Sequence, residues 1–292
     1  MIPENHTLHV SDHQLAAICL NPQAVGEPVI LLHGITSSVT IWQVNPAPFL
    51  LGIGPCYSLS LPGHYPALAP AAFKQDVLTA ETLVRLMDEA IRRLIGDQPA
   101  TLIGHSTGGF MALALAANRP EMARRVVSIS GFARGRWTGV LGLNQAFARW
   151  GRAGAFFFSA AFRPLMLHPV VFRWAMRFYV ADRRAFYAHP DLSEAMQRVY
   201  PAYCRLDLNA LWPYFKHMPE IDITPQLARI QAPTLAITGD CDPIVPPEQS
   251  DHIVRQVPGA SLSILPGAGH FPFTERAAAY LDCLSHWLAH HR

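Results

Sequence analysis

Charge is scarce in this sequence of 292 residues: 15% are Asp, Glu, Lys or Arg, and the formal net charge is +2. Neither a basic nucleic-acid surface nor an acidic tail fits that balance. Cysteine is sparse as well. The five present (Cys19, Cys56, Cys204, Cys241, Cys283) are odd in number and show no C-x-x-C spacing. That pattern suits free thiols in a reducing compartment rather than a disulfide framework. Residues 1–20 hold Glu4, Asp12 and several histidines but no apolar h-region, so no signal peptide and a cytoplasmic location are expected. Residues 28–73 and 99–118 lack charge entirely, yet Gly, Pro, Ser and His interrupt both too often for a transmembrane segment. No Gly-rich loop carries a Lys to hold a phosphate, and internal repeats and low-complexity segments are absent. His286 and His290 stand four apart, but no Glu follows His286 as a zincin requires. They read as a surface helix end, and neither a metal nor an organic cofactor is expected.

What is abundant is apolar: 50% of the residues are hydrophobic, ample for a large core. Short apolar or β-branched runs at 8–10, 15–19, 29–32, 56–60, 100–103, 125–130, 234–238 and 261–265 predict strands. Helical patterns cover 73–95, with Val77 through Ile95 supplying a buried face, then 110–117, 248–256 and 275–290. The alternation predicts an α/β fold with a mostly parallel sheet flanked by helices. Composition shifts at Ala133. Residues 133–220 hold 12 of the 23 basic residues, 5 of the 21 acidic ones and 18 aromatics. Strand-like runs vanish there, and Pro164, Pro169, Pro190, Pro201 and Pro213 punctuate helix-compatible stretches. The expected organisation is a core of 1–132 and 221–292 with a helical insertion, 133–220, after the sixth strand.

Gly104-His105-Ser106-Thr107-Gly108 joins the strand at 100–103 to the helix at 110–117. A serine between two glycines at such a joint reads as a nucleophile elbow, the sharp turn that lifts a hydroxyl out of a sheet. Three more strand ends carry chemistry, where ligands bind in open α/β sheets. After the strand at 29–32 come His33, Gly34 and Ile35. Gly34 lets the chain turn so that the Ile35 N–H, with that of Thr107, forms an oxyanion hole; His33 supports the loop by hydrogen bonds. After the strand at 234–238, Asp240 and Asp242 compete for the role of triad acid, and the Gly-x-x-Asp spacing from Gly239 favours Asp242. After the last strand, Gly267-Ala268-Gly269-His270 delivers His270 as a base. A serine hydroxyl needs such a base, and a carboxylate to hold the imidazole's tautomer.

With these motifs in the order Ser106, Asp242, His270, the chain resembles an α/β-hydrolase-fold serine hydrolase of the esterase/lipase type with a helical cap. The resemblance covers about residues 25–132 and 221–292. It implies Ser106 as nucleophile, His270 as base, Asp242 as acid, and Ile35 and Thr107 as oxyanion donors. One departure stands out: many relatives read Asp-x-x-Gly-x-Gly where this chain has Ser60-Leu61-Pro62-Gly63-His64-Tyr65, leaving Tyr65 either to face the site or to pack. The function expected is hydrolysis of an ester, thioester or lactone with an apolar acyl or aryl group. Carbon–carbon bond hydrolysis with the same triad and a ligand receptor of this fold are the alternatives. The arginines of 133–220 either solvate an outer face or attract an anionic substrate or carrier.

Overall fold

The structure, a computed structural model, describes residues 2–44, 48–74 and 77–291. Among them are eight strands: β1 (Glu4–Val10), β2 (His13–Cys19), β3 (Val29–Leu32), β4 (Cys56–Leu59), β5 (Ala100–His105), β6 (Ala123–Ile129), β7 (Thr234–Gly239) and β8 (Ser261–Leu265). They form one sheet in the order β1-β2-β4-β3-β5-β6-β7-β8. β2 pairs antiparallel with β1 and β4, and every pairing from β4 through β8 is parallel. The central strands β3, β5 and β7 are buried along their whole length because both faces of the sheet are covered there, whereas the edge strand β8 is partly exposed. Ile30, Leu32, Leu102 and Val126 pack into one layer, while Val29, Leu31, Ile103 and Val127 pack into the other.

The helix Ala80–Ile95 buries Leu83, Val84, Met87, Ile91 and Ile95, three to four residues apart, on the first face. It begins later than the sequence pattern predicts. The Thr79 side chain accepts the Thr82 N–H at 3.1 Å and caps it. Residues 72–74 form a separate turn, residues 75–76 lie outside the described residues, and Val77 is exposed rather than part of a buried face. The helix Thr107–Asn118 is apolar around its circumference because it lies between the sheet and its neighbours.

The predicted closing helix is interrupted. A single turn, Pro272–Glu275, and the helix Ala277–His290 flank Arg276, which is non-helical at φ −137° and ψ 50°. Its guanidinium donates to the Pro266 carbonyl at 2.9 Å and to Asp182 at 2.8 Å, and Glu275 turns inward.

Between β6 and β7 the chain is helical from Gly139 to Glu220. The two ends of this segment exchange backbone hydrogen bonds: Gly135 N–H to the Ile221 carbonyl and Ile223 N–H to the Ala133 carbonyl, both 3.0 Å.

Candidate active site

Ser106 occupies a turn between β5 and its helix, with φ 55° and ψ −117°. A non-glycine residue pays strain there, which marks sites of function. The flanking glycines are obligatory on steric grounds. A Cβ on Gly104 would come within 2.0 Å of the Gly108 carbonyl oxygen, and one on Gly108 within 2.2 Å of that of Leu32. Ser106 is buried, and its hydroxyl has no hydrogen-bond partner among the described residues. A buried, unpaired hydroxyl calls for an explanation, and a waiting reactant is one.

β7 and β8 bring in the other two groups. His270 Nδ1–H donates to Asp242 Oδ2 at 2.7 Å, with both side chains buried. The other Asp242 oxygen accepts the N–H groups of Ile244, at 2.8 Å, and Val245, at 3.0 Å. The carboxylate is thus fixed by backbone, and the donor role of Nδ1 leaves Nε2 of His270 with a free lone pair. Asp240 is elsewhere: exposed, it accepts the Gly267 N–H at 2.7 Å and ties off the loop. His270 and Ser106 line one cavity, but no hydrogen bond joins them in this conformation.

Gly34 lies against Ser106, where a Cβ would sit 3.1 Å from that of the serine. Among the described residues no hydrogen bond is recorded for the N–H of Ile35 or Thr107; Ile35 lines the cavity with Ser106, and Thr107 follows Ser106 as the first residue of its helix. His33 is fully buried. It accepts the Leu61 N–H at Nε2, 3.1 Å away, and donates from Nδ1 to the Gly34 carbonyl at 2.9 Å. Burial lowers its pKa to about 4, so the ring stays neutral and holds this loop.

Two residues here had no role in the sequence reading. His105 Nε2–H donates to the His270 carbonyl at 2.8 Å, and burial holds its pKa well below the usual histidine range. Glu275 is the larger omission. Its buried carboxylate accepts the N–H groups of Ala181, Asp182 and Gly269 at 2.8, 2.9 and 3.0 Å, and that of Phe271 at 3.3 Å. Burial pushes its pKa up against these four bonds. The His270 N–H donates to the Tyr179 carbonyl at 2.9 Å. Glu275 therefore binds the His270 loop to residues 179–182 of the helical segment between β6 and β7. The sequence pattern makes it the first residue of the closing helix, with no role assigned.

The cavity measures about 120 Å³. Its walls include Ile35, Leu141, Phe172, Met176, Met196 and Val199, with His189 and Asp191 as polar lining residues. No Lys or Arg is among the described residues lining it. Tyr65 is not in the wall: its hydroxyl accepts from Arg205 at 2.7 Å and its ring packs under that guanidinium. Of the 18 aromatics between 133 and 220, Phe172, Tyr179, Phe186 and Tyr203 reach the cavity. The rings of His286 and His290 lie 4.2 Å apart, tilted by 43°, on the closing helix, and neither residue lines the cavity.

A sequence model of the Alpha/beta hydrolase family matches residues 29–282. The pimeloyl-[acyl-carrier protein] methyl ester esterase of Neisseria meningitidis is 27% identical over 261 residues, covering 89% of this chain and 75% of that one. The 2-hydroxy-6-oxo-6-phenylhexa-2,4-dienoate hydrolase of Burkholderia cepacia is 25% identical over 292 residues, covering 90% and 88%. Among solved structures, the enol-lactonase from Burkholderia xenovorans LB400 superposes with a TM-score of 0.75 at 19% identity, covering 97% of this chain and all of that one.

Proposed function

This chain belongs to the alpha/beta hydrolase family, and from that premise we propose that it cleaves a carboxylic ester, thioester or lactone through an acyl-Ser106 intermediate. One observation carries the reading: a buried, unpaired serine hydroxyl shares an apolar cavity with a histidine whose far nitrogen is held by a buried carboxylate. Rotation of the Ser106 side chain brings Oγ to His270 Nε2, a bond that commonly forms only when substrate is bound. Nε2 takes the hydroxyl proton as Oγ attacks the carbonyl carbon. The resulting oxyanion is met by the Ile35 and Thr107 N–H groups, each donor worth about 3 kcal/mol in such holes. The imidazolium, stabilised by Asp242, returns the proton to the leaving oxygen or sulfur as the acyl-enzyme forms. Water, deprotonated by the same Nε2, then releases the acid. Every step uses this chain's own groups.

In this reading residues 133–220 act as the cap that selects the acyl group. The described lining is mostly apolar, holds no Lys or Arg and includes the carboxylate of Asp191, so an uncharged acyl or aryl chain is favoured over one that ends in a carboxylate. The same lack of a counter-charge weighs against carbon–carbon cleavage of an anionic diketone acid. The test is hydrolysis of p-nitrophenyl esters by wild type and Ser106→Ala. The variant loses nearly all turnover while keeping its melting temperature. Retention within about tenfold of the wild-type rate would refute the reading.

A further inference from the structure

Most aromatics of the inserted segment are in the cavity or the core, but a group of them is in neither. Eight of the thirteen large hydrophobic side chains exposed among the described residues fall between 143 and 178. Over the same stretch acid is missing: no Asp or Glu occurs between Glu121 and Asp182, while Arg149, Arg152, Arg163, Arg173 and Arg177 do.

The helix Gly151–Leu167 shows how these residues are arranged. Arg152, Phe156, Arg163 and Leu167, spaced by four, seven and four, share its exposed side, and Gly154, Phe158 and Phe162 form the buried one. At His168 the chain bends by 117° into Pro169–Phe178. The corner is apolar and open, with Leu167 71% and Val170 77% exposed. Arg163 and Arg173 lie one turn to either side of it. Trp174 is also more than half exposed, and the Arg177 guanidinium lies 5.3 Å from its ring centre and 5.9 Å from that of Phe178.

We propose that this corner, Leu167 to Phe178 with the outer row of the preceding helix, docks the protein onto a lipid bilayer carrying anionic headgroups. The chemistry matches that surface at each level. Leu167 and Val170 suit the acyl boundary, and Trp174 and Phe178 the headgroup level, where aromatic rings collect. The arginines, with stems on apolar surface and heads outward, pair with lipid phosphates. A stretch with five arginines and no acidic residue has charge complementarity with an anionic membrane. No single helix among the described residues is long and apolar enough to cross a membrane. The two helices together reach that length, but the bend and four arginines within them fit a segment lying on the surface. Phe172 and Met176, on the inner side of the same corner, line the cavity beside Ser106. Docking would thus set the acyl cavity next to the bilayer, a consequence that rests on the hydrolase reading.

Vesicle flotation tests the docking without any substrate, so its failure is separable from failure of the hydrolase reading. Purified protein is floated with vesicles of phosphatidylcholine and with mixed phosphatidylcholine–phosphatidylglycerol vesicles. The wild type partitions onto the mixed vesicles about tenfold or more better, less so at high salt, with a blue shift of tryptophan emission. The combined Leu167→Ser, Val170→Ser and Trp174→Ser variant loses about tenfold or more of that partition at unchanged melting temperature. The separate Arg163→Gln, Arg173→Gln and Arg177→Gln variant keeps weak binding but loses the preference for phosphatidylglycerol. No partition onto mixed vesicles, or partition that neither variant alters, overturns the proposal. So does absence of vesicle binding together with a solution dimer that the serine variant dissociates, which would assign the face to a second copy of this chain.

Discussion

Glu275 Oε2 accepts the backbone N–H of Ala181 at 2.8 Å, a bond between residues ninety-four positions apart. The same carboxylate holds Gly269 and Phe271, on either side of His270. One buried acid therefore sets both the histidine loop and the segment that covers it. Glu275→Gln retains the size but replaces one acceptor oxygen with an amide donor that faces N–H groups. An unmet buried donor costs about 1–3 kcal/mol, so the variant melts several degrees lower and loses roughly tenfold or more in kcat/KM. The activity loss persists at temperatures where circular dichroism finds the variant fully folded. Unchanged melting and activity within twofold would remove the clamp from the account.

The two loop carboxylates after β7 differ in what they hold, and the difference is measurable. Asp242 is buried on His270, and Asp240 is exposed on the Gly267 N–H. Asp242→Asn lowers kcat by about 10⁴-fold, as loss of the tautomer-fixing acid does in serine proteases, and Asp240→Asn costs far less. Equal losses, or the reverse ranking, would assign the acid wrongly.

Buried neutral histidines make the fold sensitive to acid. The pKa of His33 is about 4 in the folded chain against 6.5 when free, and those of His64 and His105 are also held down by burial. Above pH 6.5 both states are neutral at His33, and its full contribution to stability is present. As pH falls from there the unfolded chain takes up a proton that the native chain refuses, so stability drops until about pH 4. The loss from His33 alone amounts to roughly 3 kcal/mol over that window. Urea unfolding between about pH 7 and about pH 5 reads it, and His33→Gln flattens the dependence. An unchanged slope in the variant would show that His33 is not among the groups responsible.

The cavity's apolar walls set an expectation for chain length. Each methylene buried is worth about 0.8 kcal/mol, so each acyl carbon raises kcat/KM by up to about fourfold until the space is filled. A series of p-nitrophenyl esters from acetate to dodecanoate rises to an intermediate optimum, and Met196→Trp moves that optimum to shorter chains. A steady decline from acetate would mean a small or polar substrate.

Much of this was legible in the sequence, for local reasons. The elbow is short-range: Gly104, Ser106 and Gly108 are dictated by clashes within one turn and with the neighbouring strand. The strands β3, β7 and β8 are marked by apolar runs, and the loops after them carry their chemistry within a few residues. What was not legible depends on contacts far apart in the chain. Glu275 is informative only through Ala181 and Asp182, and nothing near it in sequence distinguishes it from a solvent-facing helix residue. Val77 has the right spacing for a buried face, but capping by Thr79 starts the helix after it. The aromatic load of 133–220 was visible, but its division among core, cavity and outer surface was not, since all three call for the same residue types.

The central claim is that Ser106 becomes the acylated group with His270 as its base. Intact-mass and peptide analysis after treatment with a fluorophosphonate tests it most directly. One adduct is expected, on the peptide containing Ser106, absent from Ser106→Ala and strongly slowed in His270→Gln. An adduct on another residue, or labelling of His270→Gln at the wild-type rate, would contradict it.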